Sequence, residues 1–496
     1  MFTETKVLLI NPISDIAVKG TNYRSTIAFV PPVGIAYLAS SLVKENGIKV
    51  IIEDQFASGK PNEYLLDKIR KENPQIVGFS CLSPGLPNIT RLSRLIKEIS
   101  PGIKIVLGNI HATVFAKEML EAGIGDVVVR GEGENSFRET VLAFRQNKKL
   151  DNIKGISFRR GQEVISNADR ELLEDLEQLP YPAWDLLDLD LYKRYPMLGM
   201  YDEVILPIQA SRGCSNKCIF CSQNMMYKKP RYRDNDKVLD EIEYMVERFK
   251  IRYFGFNDAY FPFSVQHGLE FCERLMERGL HKKIQWITET RVDKVSEKLL
   301  KKMKEAGLRL IMYGFEVGNQ SVLDSINKRT TLKQAEEAMY YTRKAKVKSL
   351  GLFMLGLPED TEETCRQTIE FAIRLKPDMA KFNLTIPQPG SKLHEICKND
   401  LKDVKAEELT SWSDWISSRA RVIYTPPKMT SERLLSLQRK AMFKFYANPK
   451  RILLLLWKGS FSMQDIYLGA KLIVTSYLKD VIRRFMRSAK RPADAK

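Results

Sequence analysis

Two successive series of short apolar runs, each followed by an amphipathic segment, constrain this chain more than any other feature. In the first series the runs are Lys6–Asn11, Lys49–Glu53, Ile76–Ser80, Lys104–Gly108 and Asp126–Arg130. Helical periodicity falls between them, over Gly34–Asn46, Asn62–Glu72, Asn88–Ile99, Val114–Ala122 and Ser136–Asn147. Strands apolar along their whole length and joined by helices predict an α/β fold with a doubly wound parallel sheet, covered on both faces. Such sheets take ligands in the crevice beyond the carboxyl ends of their strands. Here those ends carry Asn11-Pro12, Ser80 to Gly85, Gly108-Asn109-Ile110-His111 and Gly131-Glu132-Gly133-Glu134, which are mostly small or polar.

The second series has runs at Glu203–Gln209, Tyr253–Phe256, Ile284–Thr288, Leu310–Phe315, Leu350–Leu355 and Lys381–Ile386, with helical segments such as Lys237–Phe249, Val295–Ala306 and Glu362–Leu375. Six βα units in order predict a partial TIM-like barrel with its chemistry at the C-terminal strand ends. Residues 151–200 read as a linker and accessory segment, stiffened by the prolines of Leu179–Asp185. Beyond Pro427 the chain reads as helices at Ser431–Tyr446, Lys450–Lys458 and Asp465–Met486. The expected divisions are therefore 1–150, 151–200, 201–395 and 396–496, since 496 residues exceed what one core holds.

Directly after the first strand of the second series stands Ser211-Arg212-Gly213-Cys214-Ser215-Asn216-Lys217-Cys218-Ile219-Phe220-Cys221. Three thiolates from one short loop can bind three irons of a cubane and leave the fourth open. A structural zinc site normally takes four ligands, often as two pairs. No second pair is present, and the nearest other cysteine is Cys272. Seven cysteines, scattered apart from this cluster, argue against a secreted disulfide framework and for a reducing, cytoplasmic setting.

The net charge of +18 is unevenly placed. From Pro427 to Lys496 there are 16 Lys and Arg against 4 Asp and Glu, so +12 of it lies in the tail. There Arg451-Ile452-Leu453-Leu454-Leu455-Leu456-Trp457-Lys458, and the stretch from Ile473 with Arg483, Arg484 and Arg487, alternate apolar and basic residues. That pattern suits peripheral contact with an anionic membrane, or a helical cap with a solvated basic face. No nucleic-acid module is recognisable, and none is expected. No run approaches the roughly 18 apolar residues of a membrane span.

The cysteine motif, with Phe220 before its last cysteine, resembles that of the radical-SAM superfamily. The resemblance implies that S-adenosylmethionine (SAM) chelates the open iron of a 4Fe–4S cluster on Cys214, Cys218 and Cys221, and that SAM is cleaved to a 5′-deoxyadenosyl radical. Later segments resemble the same family in order. Asn257-Asp258 is similar to the loop that holds the SAM amino group, and Arg291 to a polar residue that reaches SAM. Gly314-Phe315-Glu316-Val317-Gly318, Gly351 to Pro358, and Pro387-Gln388-Pro389-Gly390-Ser391 resemble its fourth, fifth and sixth strand elements. The implied SAM contacts are Phe220, Asn257, Asp258, Arg291, Glu316 and Gln388.

The first sheet resembles the cobalamin-binding domain fused to many radical-SAM enzymes, through Pro31 to Ala39, Gly108 to Thr113 and Asp126 to Glu134. Relatives often have two glycines where Gly108-Asn109 stands. The implied cobalamin contacts are Asn11, Pro12, Gly34, Ser80, Gly108, Asn109, His111, Glu132 and Gly133. The D-x-H-x-x-G setting of a cobalt-ligating histidine is missing, since His111 lies in Asn109-x-His111-x-x-Val114. Base-off binding is therefore expected, with His111 at the corrin edge, on a phosphate or capping a helix.

By this resemblance the chain is a cobalamin-dependent radical-SAM enzyme that methylates an unactivated carbon. The alternatives are cyclisation, ring contraction or oxidation with the same cofactors, or a non-catalytic iron–sulfur sensor. The expected partners are a small-molecule or lipid-like substrate and an external electron donor of flavodoxin or ferredoxin type.

Overall fold

The computed structural model describes residues 4–13, 30–193, 203–400 and 422–447. Its first sheet runs in the order β2-β1-β3-β4-β5-β6-β7. These strands are β1 (Thr5–Asn11), β2 (Ile48–Asp54), β3 (Ile76–Ser80), β4 (Lys104–Gly108), β5 (Val127–Val129), β6 (Ile156–Arg160) and β7 (Glu163–Ser166). The first five are parallel, as their uniform apolarity predicts. Val7 to Ile10 are each at most 2% exposed. Leu8 and Ile10 pack with Leu65, Ile89 and Leu92 on one face, Val7 and Leu9 with Ala36, Phe137 and Val141 on the other. Chain order reverses between β1 and β3, which opens the ligand crevice at their carboxyl ends.

Two sequence expectations change here. The helix expected over Val114–Ala122 is two helices, Ile110–Val114 and Ala116–Glu121, because Phe115 leaves helical geometry at φ −114° and ψ 35°. Of the linker and accessory segment expected at 151–200, the described residues 151–193 extend the first sheet and its core. Ile156 and Phe158 face inward on an antiparallel hairpin that extends the sheet. Trp184 and Tyr192, both at most 1% exposed, join a core continuous from the first sheet to the outer face of the second.

The second sheet runs β8-β11-β12-β13-β14-β15, all parallel and in chain order, as a partial barrel should. The strands are β8 (Ile205–Ile208), β11 (Tyr253–Phe256), β12 (Gln285–Thr290), β13 (Leu308–Glu316), β14 (Lys348–Leu355) and β15 (Met379–Leu384). Side-chain alternation divides its two faces. Trp286 packs outward among Phe254, Phe256 and Phe271, with its indole N–H donating to the Ala306 carbonyl at 2.9 Å. Ile287 turns inward and meets Ile205, Leu310, Leu350 and Met379, one residue from each of four other strands. These residues form the apolar floor of the barrel lumen.

An open barrel leaves strand β15 with unpaired backbone groups. The helix Ser431–Tyr446 covers them. The Tyr446 hydroxyl accepts from the Ala380 N–H at 2.9 Å and donates to its carbonyl at 2.8 Å, and Gln438 Nε2 donates to the Phe382 carbonyl at 2.9 Å. The helices expected over Lys450–Lys458 and Asp465–Met486, and the basic tail with them, lie outside the described residues. Among the described residues, no helix is long and apolar enough to cross a membrane.

The carboxyl ends of the two sheets meet. Thr113 Oγ1, after β4, contacts Met226 Sδ at 3.6 Å, just past the cysteine loop, and the Phe115 ring lies 6.1 Å from that of His394 beyond β15.

Candidate active site

The cysteine loop leaves β8 and is closed at its base by a short antiparallel pair. Strand β9 (Ser211–Arg212) binds strand β10 (Arg231–Tyr232), with Arg212 opposite Arg231 and Ser211 opposite Tyr232. Gly213 turns the chain into the loop at φ +89°, and a Cβ there would lie 2.4 Å from the Lys229 carbonyl oxygen. Only glycine fits. Farther along, the Ile219 N–H donates to the Ile326 carbonyl at 3.1 Å and its own carbonyl accepts from Leu393 at 2.7 Å. Asn327 Nδ2 donates to the Lys217 carbonyl at 2.9 Å. Phe220 packs with Ile219 between Val322, Leu323 and Leu357 on one side and Leu393 and Tyr424 on the other. Its ring therefore fastens the loop to the barrel.

Cys214, Cys218 and Cys221 are half-buried free thiols on this loop. Cys214 Sγ accepts from the Asn216 backbone N–H at 3.4 Å and from its Nδ2 at 3.5 Å. Burial raises the Cys218 thiol and pushes that of Cys221 up to about 11, so iron must displace protons to bind them. Among the described residues, no three His, Cys, Asp or Glu side chains are drawn together closely enough to hold a single ion. Three soft donors on one braced loop, with no fourth supplied, suit an iron–sulfur cluster with an open iron.

Charged groups gather beside the loop. Glu316, at φ +62°, ends β13 where its ladder to β14 slips. Its Oε1 pairs with Lys328 Nζ at 2.6 Å, and both side chains are 9% exposed. Burial opposes the charge on Lys328, but Glu316 raises its pKa above the ordinary lysine value. Gly314 leaves space for the pair, since a Cβ there would stand 2.6 Å from Glu316 Oε1. Arg291 is held by Asp293 at 2.9 Å and donates to the Lys328 carbonyl at 3.0 Å. Nothing in the residues flanking Lys328 marks it for this role, and sequence reasoning missed it.

Asp258 is half-buried, and its carboxylate accepts from Ser211 Oγ at 2.5 Å and the Ala210 N–H at 3.2 Å. Burial pushes its pKa up to about 7 despite these bonds. Asp258 thus braces the base of the cysteine loop, while its neighbour Asn257 is exposed. Gln388 is half-buried and its carbonyl accepts from the Ser391 N–H at 2.9 Å.

Above the apolar floor the lumen carries two groups that sequence reasoning also missed. Glu289 lies two residues beyond Ile287 on β12, and Lys381 two beyond Met379 on β15; both are exposed to the lumen. Desolvation by the surrounding walls, with Glu316 adding to it, pushes Glu289 up to about 7. The same walls bring Lys381 down to about 8. Their signal was strand alternation, which places them on the lumen side once the barrel is known.

In the crevice of the first sheet most expected residues are already bonded to one another. Asn11 Nδ2 donates to Asp54 at 2.9 Å, and Asp54 also accepts from the Tyr192 hydroxyl at 2.7 Å. Asn109 Nδ2 donates to Ser80 Oγ at 3.0 Å, and its Oδ1 caps the Ile110 N–H at 2.7 Å. Its backbone, φ +80° and ψ −179°, lies in a region almost reserved for glycine. His111 is 1% exposed, 2.8 Å from Ser83 Oγ through Nδ1, and burial lowers its pKa to about 4. Pro12 packs beside Gly85, a Cβ on Gly108 would stand 3.9 Å from the Val129 carbonyl oxygen, and Gly133 approaches Leu38. Among the described residues nothing stands within 4 Å of a Cβ placed on Gly34 or Gly131, and Leu82 beyond β3 is 48% exposed. A crevice whose polar groups are already bonded to one another, with Leu82 exposed at its edge, suits a large flat cofactor.

Glu132, expected among the cobalamin contacts, has its carboxylate engaged elsewhere. It does not face the crevice with a free carboxylate but is tied to Arg212, Arg231 and the Leu173 N–H.

Comparison with known proteins agrees with this geometry. The B12 binding domain model matches residues 25–141, and the Radical SAM superfamily model matches residues 208–372. The chain is 31% identical over 451 residues to an uncharacterized methyltransferase of Pyrococcus horikoshii, covering 90% of this chain and 93% of that protein. It belongs to the family of radical SAM enzymes that carry a B12-binding domain. It is also 32% identical to the anaerobic magnesium-protoporphyrin IX monomethyl ester cyclase of Cereibacter sphaeroides, over 75% of this chain and 61% of the cyclase. The fold matches that of the radical SAM methyltransferase TsrM of Kitasatospora setae with a TM-score of 0.67 at 15% identity, covering 90% of each chain.

Proposed function

We propose that this chain is a cobalamin-dependent radical SAM methyltransferase acting on an unactivated carbon. The observation that carries the reading is the junction of the two sheets. The crevice that suits a corrin and the loop that suits a cluster open toward each other across Thr113 and Met226. The relatedness to a methyltransferase over 90% of the chain supports the same reading.

When bound, the cofactors supply a reducing cluster, a hydrogen-abstracting radical and a transferable methyl group. The chain's own residues hold and orient them. Cys214, Cys218 and Cys221 ligate iron. Glu316, Lys328 and Arg291 form a fixed charged wall beside the cluster for the polar part of SAM, with Asn257 and Gln388 nearby in the strand-end loops. Asp258 and Phe220 keep the loop in place. The crevice residues Asn11, Pro12, Gly34, Ser80, Gly108, Asn109 and Gly133 form a pre-bonded bed for cobalamin, while His111, neutral and engaged with Ser83, packs beneath it. The substrate enters the lumen with its apolar part over Ile287, Leu310 and Leu350 and a polar group between Glu289 and Lys381. A ferredoxin- or flavodoxin-type donor supplies the electron, in the cytoplasm. The basic tail brings the enzyme to a membrane surface.

Anaerobic reconstitution with iron, sulfide and hydroxocobalamin, followed by dithionite and SAM, tests this reading. A methyltransferase yields both 5′-deoxyadenosine and S-adenosylhomocysteine, the latter at least equal to the bound cobalamin. The kinship to the cyclase supports a second reading. It expects 5′-deoxyadenosine without S-adenosylhomocysteine. Absence of both products would remove both readings.

A further inference from the structure

The crevice of the first sheet and the cysteine loop are tied by a buried ion cluster. Arg212, two residues before Cys214, pairs with Glu132 at 3.1 Å and with Glu134 at 2.6 Å. Arg231, on the other side of the loop's base, grips Glu132 twice, with each nitrogen 2.8 Å from one carboxylate oxygen. It also donates to the Leu173 carbonyl at 2.7 Å, while Glu132 accepts from the Leu173 N–H at 3.1 Å. Side-chain exposure is 5% for both arginines, 8% for Glu132 and 13% for Glu134. Two positive and two negative charges cancel. Burial alone would raise the Glu132 pKa, but Arg231 and Arg212 hold it below the ordinary carboxylate range.

The placement of this cluster matters more than its strength. Glu132 belongs to the turn after β5, which lines the crevice. In the same turn the Gly131 N–H donates to Thr113 Oγ1 at 3.1 Å, and Thr113 touches Met226. The Arg212 guanidinium also lies 5.3 Å from the ring of Tyr37, three residues beyond Gly34 on the crevice helix. Three crevice elements therefore grip the cysteine loop: Tyr37 at its entering flank, the Glu132 turn at both flanks through Arg212 and Arg231, and Thr113 at its leaving flank. Buried, paired charges do not slide past one another, because removing one partner strands the other. Ordering of the crevice turns by a ligand is thereby passed to both ends of the loop.

We propose that Glu132, with Arg212 and Arg231, positions the cysteine loop from the crevice side, so that cobalamin in the crevice and the cluster on the loop strengthen each other's binding. This rests on the cofactor assignment above and adds to it a coupling between the two sites. Linkage makes the coupling reciprocal. Glu132 is thus a positioning residue rather than a cobalamin contact.

The test titrates hydroxocobalamin into the full chain, followed by its visible absorbance, once with the cluster reconstituted and once with it removed. The wild type should bind at least about 5-fold more tightly with the cluster present, at the lower end of ordinary coupling. Glu132→Gln should bring that ratio close to one. Thr113→Val, which leaves every charge in place, should lower it part of the way and serves if Glu132→Gln does not fold. Hydroxocobalamin should also alter the electron paramagnetic resonance spectrum of the reduced cluster in the wild type but not in Glu132→Gln. A wild-type ratio of one, or a ratio unchanged in both variants, overturns the coupling alone. Failure of the wild type to bind hydroxocobalamin in either state overturns the cofactor assignment and the coupling with it.

Discussion

The two sheets present their carboxyl ends in opposite electrostatic styles. At the first sheet the polar groups are spent on each other: Asn11 on Asp54, Asn109 on Ser80, and His111 on Ser83. The barrel keeps charge facing its interior, with Glu316 and Lys328 at the rim and Glu289 and Lys381 in the lumen. A crevice whose polar groups are already bonded to one another costs little to desolvate when a large ring covers it. Charge walled in by protein is costly to keep, which makes these barrel groups candidates for a part in the chemistry.

The largest expected effect separates the two sites outright. Cys218→Ala should reduce 5′-deoxyadenosine formation to background while the crevice still takes hydroxocobalamin, weakened only by the lost coupling. Loss of all hydroxocobalamin binding in that variant would erase the distinction between the sheets. Next comes Gly213→Ala, in which a Cβ is driven against the Lys229 carbonyl. Strain of about 1–3 kcal/mol at the loop entrance should lower the iron bound per chain, with little change in the secondary structure seen by circular dichroism.

On the crevice side, Asn109→Ala keeps the unfavourable backbone and loses two hydrogen bonds. Urea unfolding should show a loss of about 1–3 kcal/mol. Asn109→Gly loses the same bonds but relieves the backbone, so it should lie close to the wild type. At the edge of the barrel, Tyr446→Phe removes both bonds to Ala380 and should cost about 1–2 kcal/mol in the same measurement.

The smallest effect concerns pH and sharpens the contrast. His111 is held down to about 4, so between pH 4 and its unfolded value the unfolded chain binds more protons and stability rises with pH. Glu289 is held up to about 7, so the folded chain binds more protons above the unfolded carboxylate range. Its contribution, full at low pH, is lost as pH rises through about 7. The charge of Glu316 adds to this rise, and those of Lys328 and Lys381 oppose it. Urea midpoints measured from pH 4.5 to 7.5 should therefore rise more steeply with pH in Glu289→Gln than in the wild type. In His111→Asn they should rise less steeply. Parallel profiles would mean that neither group is held as described.

Much of the fold was legible because it rests on local pattern. Strands Ile76–Ser80, Lys104–Gly108 and Tyr253–Phe256, and helices Asn62–Glu72, Glu362–Leu375 and Ser431–Tyr446, have the ends their apolar periodicity indicated. At Phe115 the helix breaks where periodicity would continue it, and the ring there meets that of His394, far along the chain, at 6.1 Å. The hairpin Ile156–Ser166 has too few apolar residues to announce itself, and becomes a strand pair only because β5 offers an edge.

The sequence by itself determined the order of the units, the two parallel sheets and the three cysteines on one loop after a strand. Periodicity and covalent spacing are properties of neighbours along the chain. Only the tertiary structure decided what each charge is for. Glu132, which by position looked like a crevice residue, is bound to arginines 80 and 99 residues away. Lys328, ordinary in its local context, becomes the partner of Glu316, and Glu289 and Lys381 share a lumen although 92 residues of sequence separate them. A charge takes its role from the dielectric and the partners around it, and those are set by which distant segments the fold brings together.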